Sequence, residues 1–187
     1  MTDTSLVNAV RRRRSFSSVT AEAPTTEQLV PLVEAVSSVA DHGGMRPWRL
    51  IELRGDARRR LGAAFVEASG LEGKDAVKLA EKPLRAELLI AVVARTKPSF
   101  KVPEWEQEAV ASGVAHLLSL LLWDAGWGVF WRTGGHTRAK AVHEMHGLAE
   151  NEYLLGWLYV GGIPEKKLGK PEKKMKFDVS KALSTLN

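Results

Sequence analysis

Two short segments concentrate the residue types that could hold an anion. Arg11-Arg12-Arg13-Arg14-Ser15 sets guanidinium forks, each able to grip a phosphate through parallel hydrogen bonds, beside a hydroxyl. Ala40-Asp41-His42-Gly43-Gly44-Met45-Arg46-Pro47-Trp48 supplies a Gly-rich turn whose backbone amides can approach a ligand closely, with a histidine whose ring nitrogen can donate. Together they suit a phosphorylated ligand. Each also has a plainer reading: arginines at a helix C-terminus complement its dipole, and the glycines can be a simple connection into a strand that Pro47 starts.

Other chemistries lose their warrant. The chain has no cysteine, which removes disulfides, thiolate metal sites, a cysteine nucleophile and iron–sulfur ligation together. His143, Glu144 and His146 stand in the order H-E-x-H, not the H-E-x-x-H of zinc proteases, and no carboxylate-rich partner segment follows. His116, inside an apolar helix, is expected to be a core histidine bonded to a backbone carbonyl. Neither G-x-S-x-G, G-x-x-x-x-G-K-[ST] nor G-x-G-x-x-G occurs, so serine hydrolase, P-loop and Rossmann readings fall away. Redox or transfer chemistry would therefore rest on a cofactor.

A chain of 187 residues that is 44% hydrophobic can build one sizeable core, so residues 1–187 read as a single domain. The net charge of +5 attracts nucleotides and nucleic acids alike. Much of the excess lies at Lys166, Lys167, Lys170, Lys173, Lys174 and Lys176, read as a solvated arm, and Arg58-Arg59-Arg60 reads as the wet face of a helix. The longest apolar run, Val114 to Trp123, is broken by His116 and Ser119 and is too short to span a membrane. A soluble, cytoplasmic protein without a membrane or nucleic-acid partner is the expectation. Six tryptophans on a basic chain raise one alternative, a single-stranded nucleic-acid-binding protein, because rings can stack on bases. Trp123, Trp127, Trp131 and Trp157 sit in apolar contexts, which favours packing.

Positioning elements follow from periodicity. Leu6, Val7 and Val10 predict a first helix behind Thr4 or Ser5, leaving Arg13, Arg14 and Ser15 on its edge and exit loop. Thr25-Thr26-Glu27-Gln28 is a capping box for a helix through Leu29, Leu32, Val33 and Val36, disturbed at Pro31 and stopping at Gly43-Gly44. Trp48 to Leu53 predicts a strand, Asp56 a cap for a helix through Leu61, Ala64 and Phe65, and Ala86 to Val93 a buried strand. Val110, Gly113, Val114, Leu117, Leu118, Leu121 and Leu122 mark a helix apolar on most sides, the spine of the core. Val129-Phe130-Trp131 predicts a strand, Thr137 to Gly147 a helix, and Tyr153 to Val160 a last strand. Strands and helices do not alternate strictly, which favours an α+β layered fold.

Read in order, Arg13-Arg14-Ser15, the Ala40 to Trp48 segment, Val102-Pro103-Glu104-Trp105-Glu106-Gln107-Glu108, Gly128 to Gly134 and Leu158-Tyr159-Val160-Gly161 resemble the FMN-dependent nitroreductase family, in particular its smallest bacterial members. The resemblance implies a central, mainly antiparallel sheet flanked by helices in an interlocked homodimer, with two FMN sites built by both chains. It assigns the flavin phosphate and ribityl chain to Arg13, Arg14 and Ser15, sets His42 against the flavin from its own or the partner subunit, and completes the pocket with Trp131, Arg132 and Thr133. Residues 164–187 would wrap the partner. NADH or NADPH would donate hydride to the flavin, which would pass it to a nitroaromatic, quinone or similar small acceptor, with no catalytic side chain required. Two departures stand out: Ser18 where the family often has arginine, and Gly44 and Arg46 where it often has asparagine and glutamine.

Overall fold

A computed structural model describes residues 6–168 and 177–186. Four antiparallel strands form one sheet in the order β1-β2-β4-β3, with β1 at Trp48–Leu53, β2 at Leu88–Arg95, β3 at Trp127–Arg132 and β4 at Glu152–Gly162. Helices α1 (Leu6–Arg12), α2 (Thr26–Val36), α3 (Asp56–Ser69), α4 (Gly73–Ala80), α5 (Glu104–Asp124) and α6 (Lys140–Met145) surround it. The expected α+β class is what is found.

β2 explains why both faces are covered: its residues are almost all buried, so the strand alternates between two cores rather than between core and water. Leu88, Ile90 and Val92 meet α2 and Ala111, Val114, Ala115 and Leu118 of α5, while Leu89, Ala91 and Val93 meet Leu61 and Phe65 of α3, Leu79 of α4 and Val142 of α6. The spine helix is thus buried on its sheet side. Its other side carries exposed His116 and Leu117, so the expected core histidine is instead a surface one.

Local chemistry moved several boundaries. Thr25 forms the full capping box with Gln28, and α2 runs through Pro31. It stops at Val36, well before the glycines, because the hydroxyls of Ser37 and Ser38 turn back onto the carbonyls of Glu34 and Ala35. Gly55, not Asp56, caps α3, and α4, with Leu79 as its only buried residue, was not foreseen. The helix expected from Thr137 splits into a 3-10 turn at Gly135–Arg138 and short α6, because the Thr137 hydroxyl donates to Gly134 O instead of capping a longer helix. Arg58 is another correction: it is 7% exposed and donates to Ala86 O and Glu87, whereas Arg59 and Arg60 are exposed as expected. Of the tail lysines, Lys170, Lys173, Lys174 and Lys176 lie outside the described residues, as do Thr4 and Ser5.

Candidate functional site

β3 is an edge strand, and the chain after α1 is fastened to it and then to the end of β4. Phe16 N donates to Val129 O at 2.9 Å, Thr20 N to Gly162 O at 2.8 Å, and Gly162 N to Glu22 O at 2.8 Å. Glycine makes the approach possible: a Cβ on Gly161 would sit 2.7 Å from Thr20 O. This seam sets Arg13 and Ser15, whose Nη1 and Oγ lie 3.5 Å apart, into a cavity of about 320 Å³ between α1, α5 and β3. Val10, His116, Leu117, Ser119 and Trp131 are among its other walls.

Side chains alternate across the sheet, so the next residues of β3 open elsewhere. Trp131 borders a second cavity of about 330 Å³, with Arg132, Thr133, Lys82 and Arg85. The Arg132 guanidinium lies 4.4 Å from the Phe130 ring centroid and 5.0 Å from that of Tyr159, and its Nη2 donates to Ser17 O at 3.3 Å. Burial pushes the Tyr159 phenol up to about 12, although Arg132 and Arg85 pull it down, so it stays protonated at neutral pH.

A bulge in β4 shapes this end of the sheet. Val92 pairs with Gly156 and Val93 with Leu154, leaving Leu155 extra on β4. Gly156 has φ +131°, and a Cβ there would come 2.3 Å from Arg132 O and 2.8 Å from Trp131 Nε1. Trp131 Nε1 and Arg132 Nε are both buried without a hydrogen-bond partner. Orphaned donors on two successive residues of β3 fit a site meant to receive a ligand rich in acceptors.

The sequence-predicted residues therefore divide. Arg13, Ser15 and Trp131 share one cavity, and Trp131, Arg132 and Thr133 share the other. Arg14 lines neither: it donates to Lys167 O at 3.1 Å and lies 5.3 Å over Phe16. His42 also lies outside both, its Nδ1 2.8 Å from Glu106 Oε2 of α5. Arg46 takes up φ +46°, and its amide donates to Asp41 at 2.7 Å, which holds the Gly43-Gly44 turn in shape. At position 18, where the resemblance implies arginine, Lys167 Nζ donates to Ser18 Oγ at 3.0 Å, so a cation reaches that position through the fold.

Lys82 and Arg85 escaped the sequence reading. They belong to a 3-10 turn, Lys82–Arg85, whose basic residues look like any solvated face until the fold turns them toward the end of β3. His143 and His146 are structural. His146 Nδ1 contacts Val142 O at 2.8 Å and its Nε2 accepts from Trp157 Nε1 at 3.0 Å. No cluster of potential metal ligands occurs among the described residues, and no helix there is long and apolar enough to cross a membrane. Trp48, Trp127 and Trp131 pack against one core, Trp157 lies in the other and Trp123 stacks on Phe16 at 5.6 Å, which leaves Trp105 as the exposed ring.

Fold and site together define an α+β protein with a cationic, aromatic-walled site at the edge of an antiparallel sheet. The sequence pattern described as "Nitroreductase family" matches residues 10–162. This chain belongs to the nitroreductase family, and an oxidoreductase role goes with that membership. The Escherichia coli K12 protein named "Putative NAD(P)H nitroreductase YdjA" is 36% identical over 152 residues, covering 80% of this chain and 83% of its own length. A Haemophilus influenzae protein named "Putative NAD(P)H nitroreductase" is 30% identical over 159 residues, covering 82% and 86%. In structure the chain matches a nitroreductase-like family protein from Bacillus cereus with a TM-score of 0.84 at 23% identity, over 100% of this chain and 98% of that one. It also matches the FMN and NADPH-dependent nitroreductase NfnB of a Sphigopyxis strain, with a TM-score of 0.75 at 14% identity over 98% and 99%. These last two likenesses concern the fold.

Proposed function

We propose that this chain is an FMN-dependent NAD(P)H oxidoreductase that reduces small acceptors such as nitroaromatics or quinones, working as a cytoplasmic homodimer. The observation that carries the reading is Trp131, the wall between a cavity holding Arg13 and Ser15 and one holding Arg132, Thr133, Lys82 and Arg85. FMN pairs a phosphate with an acceptor-rich ring, and the residues present fit both ends. Arg13 and Ser15 supply charged and hydroxyl donors for a phosphate, with Lys167 beside Ser18 as a further cation. The orphaned Trp131 Nε1 and Arg132 Nε, with the alkaline-shifted Tyr159 hydroxyl, supply donors for ring oxygens and nitrogens.

When bound, FMN supplies the hydride-accepting and hydride-donating centre. The chain's own task is to bind it, keep one ring face open to nucleotide and acceptor in turn, and stabilise negative charge at the ring edge with fixed cations. His42 and the Gly43-Gly44 turn lie in neither cavity, so in this reading they meet the flavin of the partner subunit. The whole chain would act as one FMN-binding unit. Residues 164–187 would reach the partner, consistent with Phe177, Leu183 and Leu186 at 74, 72 and 100% exposure here.

The test is the visible spectrum of the purified protein. Bound oxidised flavin is yellow, and the chromophore released by denaturation should be FMN. Mixing with NADH or NADPH should bleach it, and an added nitroaromatic or quinone should restore the colour. A colourless protein that takes up no added FMN would overturn the reading, and tight single-stranded DNA binding with steep salt dependence would then favour the nucleic-acid alternative.

A further inference from the structure

We infer that Gln107, on the first turn of α5, is a positioning residue: it locks the connection at residues 96–103, and through Lys97 and Val102 that connection holds the turn at residues 42–46 for the flavin of the partner subunit. The last step rests on the FMN reading; the clamp itself does not.

Gln107 is the most deeply buried polar residue among those described, at 1% exposure. Its amide offers one carbonyl oxygen and two N–H donors, and all of them are spent on two residues. Oε1 accepts from Lys97 N at 2.9 Å, and Nε2 donates to Lys97 O at 2.8 Å and to Val102 O at 3.0 Å. A leucine would fill similar space without these bonds, so packing alone does not call for an amide here.

The residues that Gln107 grips are the ones that touch the turn. Lys97 Nζ donates to Met45 O at 3.3 Å, and Val102 Cγ2 would lie 3.6 Å from a Cβ on Gly43. Glu106, the preceding residue of α5, meets His42 directly at 2.8 Å. Successive residues of one helix turn therefore hold the 42–46 segment from two sides. Gly43 and Gly44, at φ +73° and +60°, give that segment little stiffness of its own, so its shape depends on this support.

The supported turn faces away from its own subunit's cavities. The His42 side chain is 57% exposed, Phe100 midway along the connection is 95% exposed, and Trp105 on the first turn of α5 is 70% exposed. None of the three lines either cavity. A segment fixed this firmly, yet unused by its own chain, fits a contact that a second copy completes.

The variants are Gln107→Leu, which removes the clamp, and exposed Lys97→Met, which removes only the link to Met45 and keeps the test valid should Gln107→Leu unfold. Exposed Lys101→Ala, on the same connection, is the control. Amide hydrogen exchange without flavin reads the clamp. The amides of Gly44 and Arg46, which donate to Asp41, should exchange roughly tenfold faster in Gln107→Leu and severalfold faster in Lys97→Met, with β2's amides unchanged in the latter. FMN titration reads the rest: Gln107→Leu should weaken binding by about tenfold, and Lys101→Ala should move neither readout. A mixed dimer of one Gln107→Leu chain and one Arg13→Ala chain then assigns the subunit. With the turn serving its partner, one site keeps both Arg13 and an intact clamp, and FMN binds at half stoichiometry with wild-type affinity. A mixed dimer with no site of that affinity would place the turn on its own chain's flavin and overturn the inference. Unchanged exchange at Gly44 and Arg46 in both variants would also overturn it. A wild-type chain that takes up no FMN would overturn the FMN reading and the last step with it, while the exchange result still decides whether Gln107 holds the turn.

Discussion

Arg13 and Arg14 are neighbours in sequence with different surroundings. Arg13 opens into a cavity with Ser15, while Arg14 reaches Lys167 O and the Phe16 ring. Arg13→Ala should therefore weaken FMN binding by roughly tenfold to a hundredfold, the equivalent of a charge-assisted bond of about 1.5–3 kcal/mol, and more than Arg14→Ala does. Flavin titration of the apo variants measures both, and equal losses would move the phosphate site elsewhere. Arg58 carries a different prediction. Its guanidinium is buried against Ala86 O and Glu87, so Arg58→Ala strands a buried carbonyl and should cost about 1–3 kcal/mol of stability, while exposed Arg59→Ala should stay within about 0.5 kcal/mol. Chemical denaturation of the two variants separates them. The arginine run and Trp131 were legible in the sequence because their types are unusual in their local settings. The inward turn of Arg58, and the convergence of Lys82 and Arg85 on Arg132, were not: whether a basic side chain meets water or a cavity is decided by elements distant in sequence.

Among the elements, β4 does the most to place the site, through its bulge at Gly156. Gly156→Ala would drive a Cβ into Arg132 O at 2.3 Å with φ at +131°, where L side chains are strained. It should loosen the end of β3 and lower flavin content together with melting temperature, whereas Gly135→Ala, which would meet nothing within 4 Å, should leave flavin content unchanged. Absorbance ratios and a thermal melt check both. Behind the same strand His146 is held neutral. Burial lowers its pKa from 6.5, and its Nε2 must stay unprotonated to accept from Trp157. The unfolded chain therefore takes up a proton below about pH 6.5 before the folded one does, so stability present above that pH is lost as pH falls through the depressed folded value. A second loss begins below 4.5, where the unfolded chain's Glu152 takes up a proton while its hydrogen bonds to Arg49 keep the folded one ionised to lower pH. His146→Gln should flatten the upper step and leave the lower one, as read from urea midpoints across pH; an unchanged upper step would assign it to another group. β1, β2 and β4 could be read from their apolar runs and α2 from its capping box. α4 and the early end of α2 could not, because one buried leucine is too little periodicity to see and serine hydroxyls can either continue or end a helix.

At the scale of the whole molecule, one chain leaves apolar surface that its own core does not use. Leu6, Val7 and Val10 of α1 are 71, 56 and 55% exposed, and Leu117 on the outer side of α5 is 39% exposed. α1 packs on α5, so these side chains belong to one neighbourhood, next to the cavity that holds Arg13 and Ser15. The uniform hydrophobicity of α5 already hinted at this surplus, yet no periodicity could say which side faced the sheet and which faced away. In the proposed homodimer a second copy of the chain would cover it. Sedimentation velocity should give a mass about twice the 20.6 kDa of one chain, independent of concentration over the micromolar range. Val7→Glu would bury an unpaired carboxylate in that interface, a cost of several kcal/mol, and should shift the protein to monomers at micromolar concentration. Its thermal melt should show a folded protomer, because Val7 belongs to neither core and lines neither cavity. If the partner chain completes each flavin site, the monomeric variant should also lose FMN while Arg13 and Ser15 remain intact. A monomeric wild-type chain would overturn the dimer, and a monomeric variant that keeps full flavin content would place the whole binding site within one subunit.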